Sequence, residues 1–367
     1  MVHVVRALLS LPEDRLNIGD AALRLGTFVD ADTDVVEGRR RIDLLAGQVR
    51  TLVGSRTDPD YRIRAINQVL FRENGFTYDK DDPMGRRLDA SSLWRLLATK
   101  KGNCVSLPVL WFVVAERLDY PVAIVEAPQH FFLRYQEGSY RSNIEATSGG
   151  GEASDERIIQ DLEVPSEAVS SGAMMRSLSK RELLGALIAE VAARLVNDWN
   201  VGLGARLSEL ALTVHPRSIT ANWNLALVFN YLAAMRVSVQ SPGGRIPPHK
   251  TPRVKDDARR ALVYSQKATR LGAPHPLVQD YWTRVSKMGG TEVGAKKPPP
   301  EPFDVSSLFN PGGRPIQFAL AADPFLFERA RRDPGSVLSV CANVCGPAPG
   351  NKCAKLQPLD LDEGGGK

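Results

Sequence analysis

The chain has 367 residues, 43% of them hydrophobic and 24% charged, with 47 Lys and Arg against 42 Asp and Glu. That length allows two domains with separate cores, while the net charge of +5 lies in scattered clusters such as Arg39-Arg40-Arg41, without interleaved aromatics, and reads as a solvated surface rather than a nucleic-acid track. No stretch reaches the ~18 apolar residues of a membrane span, and four cysteines, one of them isolated, do not make a disulfide framework, so a cytoplasmic setting is expected.

The N-terminal "MVHVVRALLSLPEDR" lacks a basic n-region and a small-residue cleavage site, and reads as a first helix. In "VEGRRRIDLLAGQVRTLV" the positions Ile42, Leu44, Leu45, Val49 and Leu52 recur at helical spacing. "DPDYRIRAINQVLFRENGF" follows with Ile63, Ile66, Val69 and Leu70 on one face and Gly75 as its stop. "LDASSLWRLLATKKG" predicts a helix capped by Asp89 and ended at Gly102.

After Cys104 the character changes. "CVSLPVLWFVVAERL" is apolar nearly all round, the mark of a helix buried on most sides. Three short strands are expected at 121–127, 130–136 and 140–146, the last two joined by Glu137-Gly138-Ser139. Gly149–Gly151 close the segment. Helices, one central helix and a small antiparallel sheet make an α+β domain over 1–165.

The small, polar stretch 164–179 is expected to be a domain boundary. Beyond it, Ala211, Leu212 and Pro216, then Leu225, Ala226, Ala261, Ala268 and Pro274, fall where tetratricopeptide units of about 34 residues keep small residues and a closing proline. This predicts an all-α helical hairpin domain over 178–288, with a Pro/Gly-rich insertion at 236–255. Residues 290–367 turn to Pro, Gly and charge and are expected to be largely disordered. Cys341, Cys345 and Cys353 lie there with no histidine nearby, so free thiols are expected and no metal.

Cys104 raises one question: a small core residue, or a nucleophile. A thiol nucleophile needs a base and a group that orients the base. Cys104 falls at a helix start, where the dipole favours a thiolate and free amides could hold an oxyanion; Pro108 fits a first-turn position. His130 opens a strand, and Asn143 and Glu145 lie two apart on the paired strand, so they share a face. Either could hydrogen-bond the imidazole; Glu145 would also stabilise its cation. A buried cysteine and a satisfied strand histidine are the competing reading.

The stretches "FRENGFTYD" (71–79), "KKGNCVSLPVLWFVVAERLDYPVAIVEAPQHFFLRY" (100–135) and "NIEATSGG" (143–150) resemble the transglutaminase-like superfamily, in particular the SirB-type N-terminal domain that is often followed by tetratricopeptide repeats. The resemblance implies a papain-like domain with a central helix packed on the sheet, Cys104 as the thiol nucleophile and His130 as its base. Glu145 falls where the family pattern has Asp in an Asp-Pro-Thr step, here Glu-Ala-Thr. The implied activity is hydrolysis or transamidation of an amide or isopeptide bond, with no cofactor. Many SirB-type members lack the cysteine, so the alternative is an inactive scaffold that binds a protein or peptide through its helical repeats.

Overall fold

The computed structural model describes residues 1–82, 85, 87–240 and 252–273. Four helices open the chain: α1 (Val2–Ser10), α2 (Ile18–Gly26), α3 (Val35–Val53) and α4 (Pro59–Asn67). The side chains of Asn17, Asp34 and Asp58 accept hydrogen bonds from the first-turn amides of α2, α3 and α4, which supplies partners for groups a helix cannot satisfy itself. On α3, Ile42, Leu45 and Val49 are buried, whereas Leu44 is 53% exposed. One residue before Leu45, it is turned about 100° off the buried face. α4 runs on into a π-helical turn, Gln68–Glu73.

The strand β1 (Thr77–Tyr78) comes next, then α5 (Leu93–Thr99). Ser92, not the expected Asp89, caps α5: its Oγ accepts from the Arg95 amide at 3.3 Å, while Asp89 binds the Arg95 guanidinium at 3.1 Å. Lys100 turns left-handed (φ +63) and ends the helix. Lys101–Gly102, expected to finish that helix, instead forms β2 and pairs in parallel with β1.

In α6 (Ser106–Glu116) every residue from Ser106 to Ala115 is buried, and Pro108 lies in the first turn as expected; the Cys104 carbonyl, which its missing N–H leaves without a helical donor, accepts from Phe131 N–H at 3.2 Å. Beside it lies a sheet of β3 (Val122–Ala127), β4 (His130–Glu137), β5 (Tyr140–Glu145) and β6 (Gly151–Glu152), antiparallel throughout and ordered along the chain. The glycine run expected only to close the segment therefore contributes a fourth strand. Residues 175–178 line the outer edge of β3 through Met175 N–H to the Glu126 carbonyl and Leu178 N–H to the Ile124 carbonyl, both 2.9 Å. Ile124, Phe131, Leu133, Tyr135 and Ile144 share the core of α6. Val125, Ala127 and Phe132 face Ile158, Ala168, Met174 and Met175 on the other side, beneath α7 (Asp155–Asp161) and α8 (Ser166–Ser170). With both faces covered, the strands read as apolar runs rather than strict alternation.

α9 (Lys180–Asn197) starts with a reciprocal capping box between Ser179 and Glu182. Its Leu183, Leu187 and Ile188 enter the same core as α2 and α6. α10 (Val201–Val214), α11 (Ile219–Gln240) and α12 (Pro252–Arg270) follow, and Val201, Ala205, Leu225, Val228 and Phe229 form a third, all-helical core. Helix claims both ends of the stretch expected as an insertion, since α11 reaches Gln240 and α12 begins at Pro252. Pro274 and the tail with Cys341, Cys345 and Cys353 lie outside the described residues. The described chain is thus a mixed helix and sheet structure in which helix predominates, and no described helix is long and apolar enough to cross a membrane.

Candidate active site

Pairing of β1 with β2 sets Tyr78 opposite Gly102, and from there the chain turns into α6. The turn is tight: a Cβ on Gly102 would lie 2.7 Å from Ser106 Oγ and 2.9 Å from Leu96 Cδ1, so a larger residue there would push both side chains aside. Asn103 is buried, and its Oδ1 accepts from the amides of Val105 and Ser106, both at 2.9 Å. Its own N–H donates to Ser106 Oγ at 3.0 Å, and its Nδ2 donates to Ser91 Oγ at 3.3 Å. Arg194 of α9 donates to the same Ser91 oxygen at 3.2 Å. Asn103 is therefore the side-chain cap of α6. This corrects the expectation of open amides at the helix start, because Val105 and Ser106 already have an acceptor.

Cys104 is half-buried beside the first residues of β4. Its carbonyl accepts from Phe131 N–H at 3.2 Å; the last β5 partner in the ladder is Ile144, opposite Leu133, so Cys104 takes the place β5 vacates. The thiol donates to the Gln129 carbonyl at 3.1 Å. Gln129 belongs to the two-residue turn between Ala127 and His130 and has φ +54, a conformation that costs a non-glycine residue roughly 1–2 kcal/mol. The strained residue thus presents its carbonyl to the sulfur.

His130 Nε2 lies 2.6 Å from Glu145 Oε2. The other Glu145 oxygen accepts from the Thr147 amide at 3.1 Å and the Thr147 hydroxyl at 2.5 Å. With Nε2 engaged, Nδ1 is the ring nitrogen left for the thiol. Burial disfavours the imidazolium, but hydrogen bonds with Cys104 and Glu145 more than offset it and push His130 up to about 9. For Glu145, burial favours the neutral acid, yet His130 and Thr147 together hold its carboxyl below the ordinary range. Tyr78 is raised by burial and by the nearby Cys104, Asp82 and Asp79 side chains, which keeps its phenol protonated.

Asn143 has different partners. Its Oδ1 accepts from Arg134 Nε at 2.9 Å, and its Nδ2 donates to the Ala153 carbonyl at 3.1 Å and to Asp155 Oδ1 at 2.8 Å. Arg134, only 5% exposed, completes this buried network with Asp155 at 2.7 Å. Cys104, His130 and Glu145 thus come together, while Asn143 ties β5 to β4 and α7. Four residues of the site were given no role from the sequence: Asn103, Gln129, Thr147 and Tyr78. The Asn-x-x-Ser spacing at 103–106 is an N-cap signature, and Thr147 completes a Glu-x-Thr turn; Gln129 and Tyr78 carry no such local signal.

Between them these groups can pass a proton from sulfur to imidazole, hold the resulting cation against a carboxylate, and leave a nucleophilic thiolate at a strand edge. Among the described residues no group of three or more His, Cys, Asp or Glu could hold a metal ion.

Residues 37–195 match the model of the transglutaminase-like superfamily. The match takes in α3 to α9, and so includes Cys104, His130 and Glu145. No curated protein matches the chain. Among solved structures the chain is similar to menin, in a crystal structure that reveals the binding site for Mixed Lineage Leukemia (MLL) protein, with 16% identity and a TM-score of 0.44. The likeness covers 77% of this chain and 66% of that one, so the chain spans just under two thirds of that protein's length.

Proposed function

We propose that the transglutaminase-like superfamily domain at residues 37–195 is a cysteine-dependent enzyme that cleaves or exchanges amide or isopeptide bonds, with Cys104 as nucleophile, His130 as base and acid, and Glu145 as the group that orients the imidazole. The observation that carries this reading is the 2.6 Å contact of His130 Nε2 with Glu145 Oε2, with Cys104 near enough to favour the protonated form of the same ring. A histidine that served packing alone would need neither an ionised carboxylate nor a thiol within hydrogen-bond reach.

The thiol proton passes to His130, and Sγ attacks the carbonyl carbon to give a tetrahedral oxyanion. As the C–N bond breaks, the leaving amine takes the proton from His130 and a thioester remains on Cys104. Water or a second amine then attacks the thioester, gives its proton to the imidazole, and the proton returns to sulfur as the C–S bond breaks. Because Asn103 occupies the Val105 and Ser106 amides, we assign the oxyanion to the Cys104 amide and the Tyr78 phenol. Glu145 keeps its charge throughout, as an orienting carboxylate should.

The helical pairs formed by α9 to α12 suit the binding of a protein or peptide in the manner of tetratricopeptide-like repeats, and in this reading they bring the substrate to the SirB-type domain in the cytoplasm. Alkylation of Cys104, followed by mass spectrometry of its peptide, tests the enzyme reading. Rapid labelling at about pH 6 that is lost in His130→Ala supports it, whereas labelling only above ~pH 8.5 favours an inert scaffold.

A further inference from the structure

We propose that His215, at the end of α10 and outside the residues of the family match, is a positioning residue for the thiol site and acts through Glu126; the proposal rests on Cys104 and His130 being the reacting pair. His215 is fully buried, and its Nε2 lies 2.7 Å from Glu126 Oε2. The packing makes room for this ring: a Cβ on Gly185 of α9 would lie 2.6 Å from His215 Cβ and 3.1 Å from the Ala211 carbonyl.

Glu126 stands opposite Phe131 in the β3–β4 ladder, so the two side chains point to the same face. Phe131 N–H holds the Cys104 carbonyl, and the next pair, Ala127 with His130, closes the turn that carries Gln129. Glu126 is therefore one residue pair from the base, and its ladder partner Phe131 is one hydrogen bond from the nucleophile's backbone. Its backbone is already fixed by Met175 N–H; His215 fixes its side chain.

Other charges face this pair. Glu182 of α9 is held by Arg176 at 2.7 Å, that guanidinium also feels Glu126, and Glu190 of α9 feels Glu126 and Arg194. His215 is the one of these groups that hydrogen-bonds the Glu126 carboxylate. A buried strand position facing helices is filled more cheaply by an apolar side chain. A polar pair there has directionality, and it ties the helical hairpin α10–α11 to β3, the strand paired with the one that opens at His130.

The test uses the full chain with His215→Leu and His215→Gln, reading amide exchange over 122–135 and Cys104 alkylation at pH 7. His215→Leu is expected to speed exchange over 122–135 and slow alkylation, each by about tenfold, with α3 still protected; His215→Gln, which keeps a donor to Glu126, restores both to within roughly threefold. Unchanged exchange over 122–135, or acceleration shared equally with α3, overturns the proposal. If His215→Leu does not fold, Glu126→Ala decides: exchange over 122–135 rises by about tenfold if this side chain is the anchor, and unchanged exchange refutes it. Slow wild-type labelling at pH 6 sinks the enzyme reading instead, and the exchange pattern still decides the role of His215.

Discussion

The His130 Nε2 and Glu145 Oε2 atoms, fifteen residues apart in sequence, sit 2.6 Å apart across a single hairpin. Glu145 adds about one methylene to the reach of an aspartate, and Thr147 takes up the extra freedom by binding its second oxygen through both amide and hydroxyl. The carboxylate is thereby fixed at both ends, with one oxygen on the imidazole and one on the turn.

Glu145→Gln removes the charge that holds the imidazolium and keeps the side-chain shape. The His130 titration, followed by its ring proton resonances, is expected to fall from about 9 toward the ordinary ~6.5. Cys104 alkylation at pH 6 to 7 should fall by about tenfold. A titration that does not move would remove Glu145 from the proposed triad.

The raised pKa of His130 also sets a pH dependence of stability. The unfolded chain releases this proton near ~6.5 and the folded one near about 9. Its contribution, on the order of 3 kcal/mol, is fully present below the lower value and fades as pH rises through the upper one. Denaturant midpoints of the wild type should fall between pH 7 and 9.5 more steeply than those of His130→Gln; parallel curves would show that the imidazolium is not held.

Asn143→Ala separates structure from chemistry. It leaves Arg134 and Asp155 short of partners inside the protein and should cost about 1–3 kcal/mol of stability. The pH profile of Cys104 alkylation should stay as in the wild type. A changed profile with unchanged stability would assign Asn143 to the thiol site.

Asn103→Ala uncaps α6 and frees the Val105 and Ser106 amides. A cost of about 1–2 kcal/mol is expected, together with slower alkylation, because the turn carrying Cys104 loses four hydrogen bonds around the Asn103 side chain and Ser106. Tyr78→Phe should leave alkylation nearly intact and slow turnover of a model amide or thioester by about tenfold or more, since it removes only an oxyanion donor. Equal turnover by Tyr78→Phe and wild type would exclude that donor.

Local pattern carried much of the architecture. Helical spacing marked α3 and α4, the all-round apolar run marked α6, and the short runs with Gly138 marked β3 to β5. What escaped depended on contacts distant in sequence. Lys101–Gly102 is a strand because Thr77–Tyr78 lies beside it, and Gly151–Glu152 is one because β5 has a free edge there. Ser92 outcompeted Asp89 as a cap once Arg95 had claimed the aspartate. At the site, two-residue periodicity put Asn143 and Glu145 on one face but could not separate them; that takes Arg134 and Asp155, which claim Asn143. Gln129 reaches the thiol through a strained turn and Tyr78 is brought opposite Gly102 by a parallel pairing, and neither leaves a spacing in the sequence.

The central claim is that Cys104 and His130 form a reactive thiol–imidazole pair, and the pH dependence of Cys104 alkylation measures it most directly. Wild-type labelling should be nearly at its plateau by about pH 6, and His130→Ala should move the midpoint up to ~8.5. A wild-type midpoint already near ~8.5, unmoved by His130→Ala, would contradict the account.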